Sequence, residues 1–129
     1  MSIEFTSRVL PAYIRLDCTG VYSQGDALQV FTQAFALAAL HGRDAALIDA
    51  RGIAPPEPSL MQRFDMAVHV AEMQQRQVPR IRLAVIGNEP LVHPQRFAEV
   101  VATNRGANVR VFTDEPQAIG WLIQKPKSS

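Results

Sequence analysis

A serine behind a run of prolines, in "APPEPSLMQRF" at 54–64, is the first candidate for chemistry. Gln62 follows Ser59 by three residues, the spacing of a capping box. In that motif the hydroxyl accepts a backbone N–H of the first helical turn and the glutamine side chain reaches back. A phosphate would also be tolerated there, because free N–H groups and the helix dipole favour an anion. Both readings of Ser59 stand at this level, a helix start and a phospho-acceptor. Nucleophilic catalysis does not fit. No G-x-S-x-G elbow surrounds the residue, and no neighbouring histidine is evidently placed as its base.

Asp49 ends the apolar run "AALID", Arg51 follows it by two residues, and both sit where a central strand gives way to a loop. In open α/β sheets the carboxyl ends of strands are where ligands bind. Asn88 and His93 follow the next strand, so these side chains can form a small polar cleft for an anion or a partner's carboxylate. The alternative is that Asp49 and Arg51 pair to fasten a long proline-rich loop. His93, before Pro94, can cap a helix or act as a pH-sensitive group. Arg105, before Gly106, reads as a surface contact. Asp65, His69 and Glu72 recur at i, i+4 and i+7, a spacing that could supply half a metal site. Arg76 continues the row and no other ligands accompany it, so it reads as a solvated face of mixed charge. Neither a metal nor a cofactor is expected.

The elements that must position these groups follow from periodicity. Ile3, Phe5 and Val9 alternate with polar residues, and so do Ile14, Leu16 and Cys18 against Arg15 and Asp17. These are two half-exposed strands of an antiparallel hairpin. From Asp26 the period becomes helical, with Ala27, Leu28, Phe31, Phe35 and Ala38 inward and Gly42 as a left-handed stop. "AALID", 45–49, lacks alternation, as a parallel strand covered on both faces does. A second helix carries Leu60, Phe64, Ala67, Val68 and Ala71 on one stripe. A strand at 81–87, a helix from Pro94 to Gly106, a strand at 108–112 and a last helix with Ala118, Trp121 and Leu122 inward complete the order. The fold class is α/β: a five-stranded mixed sheet with four helices, in the order β-β-α-β-α-β-α-β-α. Val30 and Leu37, and likewise Val70 and Met73, lie off their stripes: left exposed they would make apolar patches suited to a homodimer or another partner, and otherwise both helices are wide-faced core elements.

The 129 residues, 47% hydrophobic and 19% charged, suit one domain over 1–124 with a tail at 125–129. A net charge of +1 without a concentrated basic footprint argues against nucleic acid as a partner. No stretch is long enough for a membrane span. The lone cysteine, Cys18, reads as a small buried hydrophobe, and the absence of an export-like start is what a cytoplasmic chain shows.

Four stretches carry a resemblance: "LIDARG" at 47–52, "LAVIG" at 83–87, "HPQRFAEVVATNRGANVRVFTD" at 93–114 and "AIGWL" at 118–122. In these the chain resembles the bacterial SpoIIAA-like proteins, which group with STAS (anti-anti-sigma-factor) domains and the CRAL-TRIO lipid carriers. The resemblance implies a cytoplasmic, non-catalytic regulatory module. In the STAS branch a serine at the start of the helix after the central strand is phosphorylated by a partner kinase, and the unmodified form docks on a regulator. The corresponding residue here is Ser59, although "PPEPSLMQ" departs from the usual Asp-Ser context. The carrier branch implies instead a small apolar ligand held between sheet and helices.

Overall fold

The computed structural model describes residues 3–55, 58–76, 81–88 and 108–123. Its elements are β1 (Ile3–Val9), β2 (Ile14–Val21), α1 (Gln24–Leu40), β3 (Ala45–Ala54), α2 (Leu60–Gln75), β4 (Arg82–Ile86), β5 (Val109–Phe112) and α3 (Glu115–Ile123). The five strands lie side by side in chain order, β1-β2-β3-β4-β5. β1 and β2 are antiparallel and all other pairs are parallel. The expected mixed sheet and hairpin are therefore present. Among the described residues there are three helices, and the fourth, expected between Pro94 and Gly106, falls outside them.

Successive side chains of β3 explain why its run does not alternate. Ala46 and Ile48 pack with Ile14, Leu16 and Cys18 of β2 beneath Val30, Ala34 and Phe35 of α1 and Ala67, Val70 and Ala71 of α2. Ala45 and Leu47 point the other way, against Ala118 and Leu122 of α3. A strand sealed on both faces must be apolar at every position. No helix among the described residues is long and apolar enough to cross a membrane.

α1 and α2 bury more than the expected stripes. Val30 and Val70 are buried, and Leu37 and Met73 pack against the same core, so both helices are wide-faced core elements and these residues form no exposed patch. Leu60, assigned to the core stripe, is 59% exposed. The cause is that α1 and α2 pack on each other as well as on the sheet, which draws in a second apolar row from each helix. Gly42 does stop α1, with φ of 67°.

β3 runs on past Asp49 to Ala54, so Arg51 lies inside a strand rather than in a loop. Between Asp17/Asp49 and Thr19/Gly52 the register shifts, leaving Ala50 and Arg51 opposite the single residue Cys18. This is a bulge, and Gly52 closes it. A Cβ on Gly52 would sit 2.5 Å from the Cys18 carbonyl oxygen and 3.1 Å from the Thr19 methyl. Because the nearest atom is backbone, β2 and β3 would have to part. Gly52→Ala is expected to cost about 1–3 kcal/mol, read as a lowered urea midpoint with unchanged slope.

Candidate functional site

The bulge matters because of what it aims. Asp49 and Arg51 share a face of β3, and the Arg51 N–H, without a register partner on β2, donates to Asp49 Oδ1 at 3.1 Å. The Arg51 guanidinium grips the same carboxylate in a fork, Nε to Oδ1 at 2.9 Å and Nη2 to Oδ2 at 2.7 Å. Its Nη2 also reaches Glu115 Oε1 at 2.6 Å, at the first turn of α3.

The hub is Arg15, which alternation had placed on the solvent side of β2. It is buried. Its Nε donates to Asp17 Oδ1 at 2.9 Å, and its Nη2 donates to Asp49 Oδ2 at 2.9 Å and Glu115 Oε1 at 3.0 Å. Arg8 of β1 adds a bond to Asp17 Oδ2 at 3.0 Å. Three guanidiniums (Arg8, Arg15, Arg51) thus meet three carboxylates (Asp17, Asp49, Glu115) across β1, β2, β3 and α3. An arginine can lie beneath α3 only because its charge is matched on every side.

Protonation follows from that geometry. Burial pulls the Arg15 pKa down, but bonds to Glu115 and Asp17 outweigh it and hold the group above its ordinary value. Arg51 is raised chiefly by its bond to Asp49. Burial pushes the Asp49 carboxyl up, yet the bonds from Arg51 prevail and keep it below its ordinary value. Glu115 is lowered chiefly by the bond from Arg15. Carboxylates held this firmly ionised are poor proton acceptors near neutral pH. The arrangement is a clasp between sheet and α3. Asn88 joins it at the rim, donating Nδ2 to the Arg51 carbonyl at 3.0 Å.

The second half of the candidate site is the head of α2. Ser59 Oγ accepts the Gln62 N–H at 3.1 Å, and Gln62 Oε1 accepts the Ser59 N–H at 2.8 Å, a complete capping box. Below it the turn is fastened from inside. Buried Arg63 donates Nε to the Pro58 carbonyl at 3.2 Å. Gln24 Nε2 donates to the Gln62 carbonyl at 3.0 Å, and the Tyr22 hydroxyl donates to Gln24 Oε1. Desolvation pushes the Tyr22 hydroxyl up to about 12, with Arg63 acting against it. What this fastening leaves at the surface is Ser59, Leu60 and Met61, the last two 59% and 67% exposed.

Asp49, Arg51 and Asn88 are therefore brought together, on the side of the sheet that bears α3. Among the described residues no hydrogen bond links them to Ser59, which belongs to the helix on the opposite face. His93 and Arg105 lie outside the described residues. Asp65, His69 and Glu72 stay on an exposed face, where His69 Nδ1 lies 2.7 Å from the Asp65 carbonyl. No metal-holding group of histidine, cysteine and carboxylates occurs among the described residues. The Cys18 thiol is buried and desolvation, with help from Asp17 and Asp49, pushes it up to about 12, out of the range of a nucleophile. Sequence reasoning missed Arg15, Glu115 and Arg63. For Arg15 a signal existed: a cation within a strand that sits beside a fully apolar one needs local carboxylates, and Asp17 and Asp49 are such groups.

No protein-family model and no curated relative matches the chain. Solved structures do. An anti-sigma factor antagonist from Mycobacterium paratuberculosis superposes with a TM-score of 0.62 at 11% identity, covering 95% of this chain and 96% of that one. An uncharacterized protein of the DUF3478 family from Shewanella loihica, with a SpoIIAA-like fold, gives 0.52 at 22% identity, covering 94% and 93%.

Proposed function

We propose that this chain, whose fold is SpoIIAA-like, is a non-catalytic regulatory module that docks to a protein partner through the first turn of α2. One protein that shares the fold is an anti-sigma factor antagonist, and a regulatory role is carried over from it as part of this proposal. The observation that carries the reading is the exposed trio Ser59, Leu60 and Met61. Two large apolar side chains stand open beside a hydroxyl whose lone pair caps the helix. Burying Leu60 and Met61 against a partner would gain hydrophobic free energy that the monomer forgoes. A phosphate on Ser59 would place about −2 charge in the middle of that contact, compatible with the helix and hostile to an apolar interface. Ser59 is accordingly the phospho-acceptor of the proposal, and Asp49, Arg51 and Asn88 belong to the separate clasp on the α3 side of the sheet.

The test separates docking from folding. Ser59→Asp keeps a good cap and introduces the charge, so thermal stability should change little. Leu60→Ser with Met61→Ser removes the apolar contact from positions that are already wet. Affinity capture from the native host should recover a specific protein with the wild type, and both variants should reduce it by about tenfold or more. Recovery of the same proteins in equal amounts by wild type and variants would refute the docking surface.

A further inference from the structure

The outer edge of β1 is open among the described residues, since β1 ends the sheet and only β2 pairs with it. An edge strand with unpaired main-chain groups is a template for another strand, and proteins commonly blunt it with proline, a bulge or a very short length. β1 has none of these. It runs seven residues, Ile3 to Val9, without proline and with unbroken register against β2.

The direction of its main-chain groups is fixed by the hairpin. Leu10 N–H donates to the Tyr13 carbonyl at 2.9 Å, so Leu10 bonds inward, toward β2. In an antiparallel ladder inward- and outward-bonding residues alternate. Glu4, Thr6 and Arg8 therefore bond to β2, while Phe5, Ser7 and Val9 present N–H and C=O outward. At Ile3 the outward N–H is already taken by Asp26 Oδ2 at 3.1 Å, which closes one end of the edge. Ser7, Val9, Glu4 and Arg8 are all exposed.

We propose that β1 is a self-association edge, and that a second copy of this chain adds its own β1 antiparallel to it about a two-fold axis through Thr6. The sequence of the strand selects this register. With Thr6 opposite Thr6, the outward-bonding residues Phe5 and Ser7 face Ser7 and Phe5 of the second copy, and each such pair exchanges both main-chain bonds. Glu4 then stands opposite Arg8 of the second copy, and Arg8 opposite its Glu4, an attractive cross-strand pair on each side of the axis. Shifting the axis to Glu4 or to Arg8 would set like charges face to face. Shifting it to Phe5 or Ser7 leaves both charges opposite uncharged residues. The contact is isologous, as a two-fold interface requires. It also extends the clasp, because the Arg8 that would meet Glu4 already binds Asp17 at 3.0 Å. A single added strand buries less than a standard interface, so a reversible dimer with Kd on the order of tens of micromolar is expected.

Sedimentation of the full chain across a concentration series up to a few hundred micromolar tests it. The wild type should show a reversible monomer–dimer equilibrium. Glu4→Arg and Arg8→Glu should each weaken it by about tenfold or more, because each sets like charges across the axis. An equimolar mixture of the two variants should dimerise again, since one copy then offers only basic side chains at these two positions and the other only acidic ones. Ser7→Pro removes an outward N–H without touching the β2 ladder, so it should be folded by circular dichroism and monomeric. A wild type that stays monomeric throughout, a mixture that fails to recover, or a dimer indifferent to Ser7→Pro would each overturn the proposal.

Discussion

Gln74→Leu is expected to destabilise the protein by about 3–4 kcal/mol, lowering the melting temperature by roughly 10–15 °C. Gln74 sits on α2 with no solvent exposure, yet every polar atom of its amide is used. Nε2 donates to the Ile81 carbonyl at 2.7 Å and to the Asn108 carbonyl at 2.9 Å, and Oε1 accepts the Asn108 N–H. One side chain thereby ties α2 to the beginnings of β4 and β5. Leucine fills much of the same volume, so the loss is not mainly one of packing. It leaves the buried Ile81 carbonyl and the part-buried Asn108 N–H without the amide, while the Asn108 carbonyl keeps the Leu83 N–H at 3.1 Å, and each uncompensated group costs about 1–3 kcal/mol. A drop well under 1 kcal/mol in urea titration would show that water or a backbone shift replaces the amide.

The second large effect is expected at Arg15. Arg15→Met keeps an unbranched apolar stem but removes the charge that holds Asp17, Asp49 and Glu115 together. Breaking a buried pair from one side costs about 3–5 kcal/mol. Because Asp17 and Glu115 keep about a third of their side-chain exposure, water offsets part of this, and a loss of about 2–3 kcal/mol near neutral pH is expected. The pH dependence has a definite sign. Asp49 and Glu115 are held below their ordinary values of 3.8 and 4.5 in the folded protein. As pH falls, the unfolded chain takes up those protons first, so the wild type loses stability progressively below about pH 5. Once the carboxylates are protonated, the missing guanidinium no longer matters. The gap between wild type and Arg15→Met should therefore narrow steadily as pH falls below about 4, and a gap that is constant or widens would disprove the ionic account.

The sheet was largely legible in the sequence because its signals are local. Alternation marked β1 and β2, and the continuous run at 45–49 marked a strand covered on both faces. Three of the four expected helices fall on described residues and were located correctly, but α1 and α2 bury a wider face than the single stripe expected of each. α1 carries apolar residues around much of its circumference, and which of Val30, Phe31 and Leu37 faces the sheet depends on where α2 lies. The capping box at Ser59 could be read because its partners are three residues apart. Gln74 could not be read as buried, and for Arg15 the only local signal was the nearby pair Asp17 and Asp49. What permits their burial is Glu115, 100 residues from Arg15, and Asn108, 34 residues from Gln74. A polar side chain in a core announces itself only through neighbours that the fold supplies. The bulge at Ala50–Arg51 escaped for the same reason, being a mismatch of lengths between two strands rather than a property of either.

The strands lie across the sheet in the order in which they occur along the chain. A nascent polypeptide leaving the ribosome can thus lay each strand against the one made just before it, with no gap held open for a later arrival. Assembly of this kind proceeds outward by short loop closures, which favours rapid folding. The exception is the glutamate at the head of the final helix, which must find an arginine made a hundred residues earlier. Until it emerges, the arginine and its carboxylates near the amino terminus have an incomplete set of partners, and its arrival marks the moment synthesis has delivered enough chain to lock the two ends of the domain together.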